Sequence, residues 1–375
     1  MAKAVYVGVG SKARKMKKAY IGIGGKARKV KKMYIGVGGK ARLCYSAELE
    51  KVGMAENLSD ERRTVAASVG NYALFAGGIG HGSFIDRAHD AVDAYSASLT
   101  KSMPTALSTV RSSHAGASVE GYALFAGGAD GQRTVDIVDS VDAYSASLTR
   151  TAAATLSGER VWMGAASLEG RAFFAGGASS NMNSDNKCAN VEVYNSTLTR
   201  TAATNLSVAR YYPLTATIGS RVLFAGGTGN TITKVVDVYS TSLTRTAAAD
   251  LSRPTSGDAS TVVGNYAIFT SDGNTSCDVY NASLTKTTVT LLSVARVNMS
   301  AGTVGDYALF AGGGTNSPYS DVVDACDTSL TRTTVTTLDY PRSGLSSATV
   351  GDYLLFAGGR IDSENYSSDV FVYTA

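Results

Sequence analysis

Histidine, tryptophan, cysteine and proline are all scarce here: three, one, four and five among 375 residues. Each shortage excludes something. His81, His89 and His114 are too few to build a histidine-rich metal centre. His81 and His89, beside Asp86 and Asp90, lack ligand spacing and read as polar loop residues. Cys44, Cys188, Cys277 and Cys326 share no close spacing, which predicts reduced thiols and neither a metal site nor a disulfide framework. No apolar run is long enough to span a bilayer as a helix. Glycines interrupt every apolar stretch that follows the first lysine, so no secretory signal is expected. A Gly-x-Ser-x-Gly elbow and a phosphate loop are both missing. No cofactor is expected, and the lone Trp162 is read as packing in a strand.

Acidic residues are missing from residues 1–42, which hold 13 lysines and arginines. The rest of the chain carries 22 basic and 31 acidic side chains. The formal net charge of +4 therefore hides +13 on one segment and −9 on the other. Such segregation predicts a boundary near residue 43.

Glycine, by contrast, is abundant at 40, and Tyr, Thr, Ser, Ala and Val dominate the remainder, favouring short strands and tight turns. From residue 65 an apolar run ending in Phe-Ala-Gly-Gly recurs. Its anchors are Phe75, Phe125, Phe174, Phe224, Phe269, Phe310 and Phe356, spaced 50, 49, 50, 45, 41 and 46 residues apart. The copy at Phe269 lacks Gly-Gly. A second phrase follows each first one, as in Val92-Asp-Ala-Tyr95-Ser-Ala-Ser-Leu99-Thr. A third, Leu-Ser-x-x-Arg, runs Leu58 to Arg62, Leu107 to Arg111 and so on. Within one unit the turn at Gly70-Asn71 joins a strand of small and β-branched residues to an inner strand apolar on both faces. Val-Asp-Ala-Tyr supplies a third strand and Leu-Thr-Arg-Thr a fourth. Four antiparallel strands per unit of this length make one blade of a propeller.

These phrases resemble the kelch repeat over about residues 45–375, and the resemblance implies an all-β, seven-bladed kelch-type β-propeller. One departure stands out. The tryptophan that kelch blades place six residues after the tyrosine is replaced by Lys101 or Arg150, so the outer strand must pack differently. The chain ends on the third strand of blade 7, so residues about 47–57, beginning near Tyr45, are expected to return as its fourth strand and close the ring.

Residues 1–42 carry a different repeat. Tyr6-Val-Gly-Val-Gly, Tyr20-Ile-Gly-Ile-Gly and Tyr34-Ile-Gly-Val-Gly recur every 14 residues, separated by basic tracts. Each unit reads as a short strand, a glycine turn and a basic strand, too small to be stable without a partner. The units resemble repeats of phage and prophage structural proteins of Gram-positive bacteria. That resemblance implies a virion component assembled in a bacterial cytoplasm. Tyr6, Tyr20, Tyr34, Lys17, Lys18, Lys31 and Lys32 would then anchor it to other virion proteins and hold a homo-oligomer on the particle. Strand-like alternation argues against nucleic acid as the partner.

Positions repeated in nearly every blade are expected to serve the scaffold, Asp93 and Asp142 through packing and turn hydrogen bonds, Arg111 and Arg160 through bonds between blades to carbonyls or acids. Function is expected where blades differ. Between Gly-Gly and the tyrosine strand, the connecting segments of blades 1–3 are the longest, at 13, 12 and 13 residues. They offer His81, Phe84, Arg87, Arg133, Asn181, Met182 and Asn183 as ligand contacts. The expected role is non-catalytic binding of a host-surface glycan or protein. Sialidase-type Asp-box turns are absent, but a polysaccharide-active enzyme with a carboxylate pair in the channel remains an alternative. So does a purely structural decoration protein.

Overall fold

The structure, a computed structural model, describes residues 6–9, 12–15, 20–23, 26–30, 32–37, 40–46, 48–80, 87–130, 136–179, 186–314 and 318–375. Residues 6–46 form three antiparallel hairpins, pairing Tyr6–Val9 with Lys12–Lys15, Tyr20–Ile23 with Lys26–Lys29, and Lys32–Val37 with Lys40–Ser46. These are the two strands expected in each 14-residue unit. The third hairpin continues through a bulge, and Tyr45 pairs with Met33. Tyr45 therefore does not begin the closing strand, because its backbone is already engaged locally. That strand begins at Glu50.

From Glu50 onward the chain forms seven four-stranded antiparallel sheets. In six of them the strands follow chain order, as in Ala115–Val119, Tyr122–Ala126, Val141–Ser145 and Arg150–Ala152 of blade 2. The seventh joins Ser346–Val350, Tyr353–Ala357 and Val370–Thr374 to Glu50–Ala55. Val370 lies opposite Ala55 and Thr374 opposite Glu50, so the two ends of the ring meet in one sheet. First strands of successive blades touch all the way round, blade 7 against blade 1 included. The molecule is a seven-bladed β-propeller.

Each repeated phrase maps to a joint. The inner-strand Phe and the third-strand Tyr are fully buried and meet edge to face, at 5.9 Å for Phe75 and Tyr95. Tyr95 donates its hydroxyl to the Glu56 carbonyl of blade 7, and Tyr144 donates to Thr105 of blade 1. Glycine is required where one blade's backbone presses on the next. A Cβ on Gly176, at φ +68°, would sit 2.3 Å from the Arg210 carbonyl oxygen. The neighbouring Gly177 amide donates to that same oxygen at 2.9 Å, and Gly78, Gly128, Gly227, Gly313 and Gly359 repeat the bond to the next blade.

Small hydroxyl residues close the innermost joints. Ser118 donates to the Ser68 carbonyl at 2.6 Å, Thr217 to Ser167 at 2.8 Å and Ser260 to Thr215 at 2.8 Å. Thr303 donates to Val262, Thr349 to Thr303 at 3.0 Å and Ser68 to Thr349 at 2.8 Å, while Ser167 accepts the Ser118 amide at 2.8 Å. All seven blade-to-blade joints are thereby bridged near the axis. These edges cannot pair as sheets because the blades diverge, and a hydroxyl satisfies the facing carbonyl instead.

The fourth strand differs from the sequence expectation. It starts after Leu-Thr, at Lys101 in blade 1 and Arg150 in blade 2. Leu99, Leu148, Leu198, Leu243, Leu284 and Leu330 occupy the turn with φ between 60° and 62°. A left-handed leucine costs about 1–2 kcal/mol. Its side chain offsets that cost by packing against the buried cluster between blades, as Leu99 does beside Phe75 and Tyr95. This is how the outer region packs without the tryptophan.

The strand order gives the ring two distinct faces. Turns such as Gly70-Asn71 and the leucine turns form one, here the turn face. Gly-Gly segments, the loops after them and the Leu-Ser-x-x-Arg segments form the other, the loop face. Glu50 lies at the turn face and Ala55 at the loop face, so the basic segment joins the ring on the side opposite the loops.

Candidate binding face

Among the residues expected to contact a ligand, only Arg87 is described; His81, Phe84, Arg133, Asn181, Met182 and Asn183 lie outside the described residues. In blade 1 the segment is not a plain loop. Strands Tyr72–Gly80 and Arg87–Ser96 continue past Gly-Gly, pairing Arg87 with Gly80, so exposed Arg87 stands on a raised hairpin. His89 accordingly lies in a strand, 3.5 Å from Asp60, and not in a loop. Blades 2 and 3 begin similar rises through bridges Ala129 to Ile137 and Ala178 to Lys187. Of the anchoring residues, Tyr6, Tyr20, Tyr34 and Lys32 fall on the hairpin strands, whereas Lys17, Lys18 and Lys31 lie outside the described residues.

The repeated arginines and acids form a scaffold, within blades rather than between them. Arg62, fully buried, gives Nη2 to Asp93 at 2.7 Å and Nε to the Gly77 carbonyl at 2.9 Å. Arg111 pairs with Asp142, Arg160 with Glu192, Arg210 with Asp237 and Arg296 with Asp324, each acid lying in the arginine's own blade. The acid also caps the preceding turn, as Asp93 accepts the Ser59 amide at 3.1 Å. A side chain can reach its own third strand. The neighbouring blade is met instead by the arginine's backbone carbonyl.

A second feature has no counterpart in the repeat phrases. Two residues beyond the arginine position, the backbone of six blades turns left-handed: Ser113, Trp162, Tyr212, Gly257, Asn298 and Gly344, with φ between 52° and 68°. Trp162 N donates to the Ser113 carbonyl at 2.9 Å and Tyr212 N to Trp162 at 2.9 Å. Gly257 N donates to Tyr212 at 3.3 Å, and Gly344 N to Asn298 at 3.0 Å. These residues immediately precede the innermost strands, so the bonds run as two arcs of a collar, Ser113 to Gly257 and Asn298 to Gly344, around the loop-face mouth of the channel. Trp162 is thus a collar residue and not a strand residue. Bulky side chains at positive φ are strained by about 1–3 kcal/mol each, and such strain gathers at ligand-binding positions.

Trp162, Tyr211 and Tyr212 stack as a triad, with ring centroids 5.3–5.4 Å apart. Val161, Ala178, Ala129 and Ile137 support Trp162 and Tyr211 from beneath, while Tyr212 stays 40% exposed. Arg63, from the opposite side of the ring, lies close enough to oppose the burial-driven rise of the Tyr212 phenol. The exposed Tyr212 ring at the channel mouth offers a flat apolar face with a hydrogen-bonding edge, a surface suited to a sugar or a peptide.

Blade 5 departs from its siblings. Thr255 stands where the others have arginine, and Asp278 is satisfied by the Ser252 amide and the Ser252 and Thr288 hydroxyls. Both oxygens of Asp258 are buried without a partner, and Thr270 beside it is committed to the Ala259 amide and carbonyl. Burial, followed by the Asp272 charge, pushes its carboxyl up to about 7. The folded state then holds a proton that the unfolded chain releases near pH 4. Stability is accordingly lost as pH rises from about 4 to 7. Asp258→Asn should therefore raise the melting temperature at pH 8 and leave it nearly unchanged at pH 4. An equal shift at both values would mean that Asp258 does not titrate in the folded ring.

Burial also pushes the Cys277 and Cys326 thiols up to about 12, leaving them protonated. Among the described residues no three His, Cys, Asp or Glu side chains converge as a metal site, and no helix is long and apolar enough to cross a membrane.

No family model and no curated protein sequence matches this chain. Its likeness is to solved structures. One described as "Structure of YjhT" superposes with a TM-score of 0.55 at 13% identity, over 86% of this chain and 97% of its own. An identity this low carries the fold alone, and 674 solved chains match this structure. A fold so widely shared leaves function to be argued from the site.

Proposed function

We propose that this protein is a virion component of a phage or prophage, held to the particle by residues 1–42 and binding a host-surface glycan or protein through its loop face. The observation that carries the binding role is the collar, where left-handed Tyr212 is kept 40% exposed, backed by partly buried Trp162, on the face with the raised strands of blade 1. Two supports come from elsewhere. The 14-residue basic repeats resemble those of phage structural proteins. The repeats also join the ring at its turn face, which leaves the loop face free to point outward. The mechanism is binding without bond cleavage, and many copies on one particle would make weak sites act together.

Trp162→Ala/Tyr212→Ala in the full chain should lower binding to intact host cells at least about tenfold, as loss of aromatic hot spots does. Melting should fall only modestly, because alanine keeps the Cβ at the left-handed positions and loses the ring contacts over Val161 and Ala178 while the inner strands stay in place. Unchanged binding would move the site away from the collar. Absence of binding by the parent itself, on cells the particle infects, would favour a structural decoration role.

One observation favours a second reading, a polysaccharide-active enzyme. Asp258 has a carboxyl near 7 beside Asp272, the pattern of a general acid. Its oxygens are walled off from solvent, which argues against contact with a substrate. Release of sugar from host cell-wall polysaccharide by the parent, abolished in Asp258→Asn, would establish the enzyme.

A further inference from the structure

Away from the collar, the loop face holds a cleft of about 560 Å³ where blades 6, 7 and 1 meet. Tyr319, Tyr340 and Tyr366 line it together with Pro318 and Pro341, two of the five prolines in the chain. Tyr340 is 62% exposed and Ile361 39%, so apolar surface lies open at the rim. The Tyr319 hydroxyl donates to the Asp362 carbonyl at 3.3 Å, tying the walls from blades 6 and 7 together.

The cleft is also acidic. Glu61, Asp362 and Asp369 line it against Arg342, with Arg360 beside Asp362, a surplus of one carboxylate. Arg342 is fully buried and spent on Ser367 at 2.7 Å, Asp369 at 2.9 Å and the Phe371 ring at 4.5 Å. Nearby Lys51 is held by Asp339 at 2.6 Å. Asn365 and the amides of Glu364 and Asn365 hold the Asp362 carboxyl below its ordinary range, so it stays charged. The exposed Tyr340 ring and the surplus carboxylate suit an ammonium or guanidinium group, as the Arg360 guanidinium seated 5.0 Å from the buried Tyr366 ring illustrates.

Within this chain such groups are concentrated in one place. Residues 1–42 hold 13 bases and no acid. The segment joins blade 7 at the turn face, whereas the cleft opens on the loop face. A second copy stacked with its turn face over this loop face would carry its basic repeats toward the cleft. We infer that the cleft of one chain seats the Lys/Arg side chains of the N-terminal repeats of a second copy, joining chains head to tail. The two surfaces differ, so the contact is heterologous and propagates into rows instead of closing as a dimer. This rests on reading residues 1–42 as a docking element; stacking covers the collar of every copy but the last in a row, so the terminal copy keeps its collar open to a host surface.

The test is the molar mass of the full chain by light scattering. At low salt the mass should exceed that of a dimer and rise with concentration; at about 0.5 M salt it should fall to the monomer as the charges are screened. A cleft variant, Glu61→Lys/Asp362→Lys, and a repeat variant, Lys17→Glu/Lys18→Glu/Lys31→Glu/Lys32→Glu, should each be monomeric alone. Mixed, they should form a one-to-one complex and nothing larger, because one retains the repeats and the other the cleft. Tyr340→Ala, at an exposed position that cannot unfold the ring, should weaken parental association at least about tenfold. A cleft variant that associates like the parent would overturn the inference, as would a mixture without the complex or a parent that is monomeric at low salt. Cell binding is read separately: its loss in a Trp162 variant of normal mass concerns the collar alone.

Discussion

Deleting residues 1–46 should leave a soluble propeller, whereas deleting residues 1–56 should give an insoluble or unfolded product. The two truncations differ by the strand Glu50–Ala55, the outer strand of blade 7. Without it the edge of Val370–Thr374 is bare, and that strand carries Phe371 and Tyr373, both fully buried in the ring. An exposed apolar edge is a template for aggregation. Loss of the strand also frees Tyr95 from the Glu56 carbonyl and opens the joint between blades 7 and 1. Soluble yield and sedimentation of the two truncations provide the check. Equal solubility would mean that ring closure contributes little, and an insoluble 47–375 chain would show that the hairpins are part of the domain.

Arg62→Met is expected to cost about 3–5 kcal/mol, the loss that follows when one partner of a buried, hydrogen-bonded ion pair is removed. Every nitrogen of Arg62 has an acceptor, and Asp93 is fully buried beside it. Arg210→Met should cost less, since Nε and Nη1 of Arg210 already lack partners. Arg245→Met, which removes the outer partner of Asp237 at 31% exposure, should cost under about 1 kcal/mol. Denaturant midpoints of the three variants test the order. Blade 5 shows how a blade can do without the arginine, because Thr288 and Ser252 take over its acid. Equal losses at Arg62 and Arg245 would mean that burial does not set the value of these pairs.

The repeat phrases alone determined most of the scaffold. Phe75 and its six equivalents recur in all seven blades, and the strand tyrosine and Gly-Gly in six each, because every blade presents nearly the same shape to its neighbour, and a requirement met so often leaves a period in the sequence. The unfinished seventh blade likewise predicted the closing strand, which is a matter of counting strands. The leucine turn differs from the strand its sequence suggests because left-handed leucine runs against local preference and is tolerated only with a buried cluster waiting for the side chain. Pairing of arginine with its own blade could not be read either, since the sequence shows that both charges repeat but not which copy each can reach.

The collar was missed for the opposite reason. Its positions carry Ser113, Trp162, Tyr212, Gly257, Asn298 and Gly344, different in nearly every blade and so invisible to a search for repeats. A variable position two residues beyond a repeated arginine was the available signal. What makes it a site is the axis of the ring, which brings six segments some 41–50 residues apart to one channel mouth. The cleft arises in the same way, from three blades of which the first and last meet only when the ring closes. The sequence by itself determined the repeated unit, its number and the segregation of charge, because these are local patterns and counts. Tertiary structure alone decided which unrepeated side chains share a surface, because that depends on closing the chain upon itself.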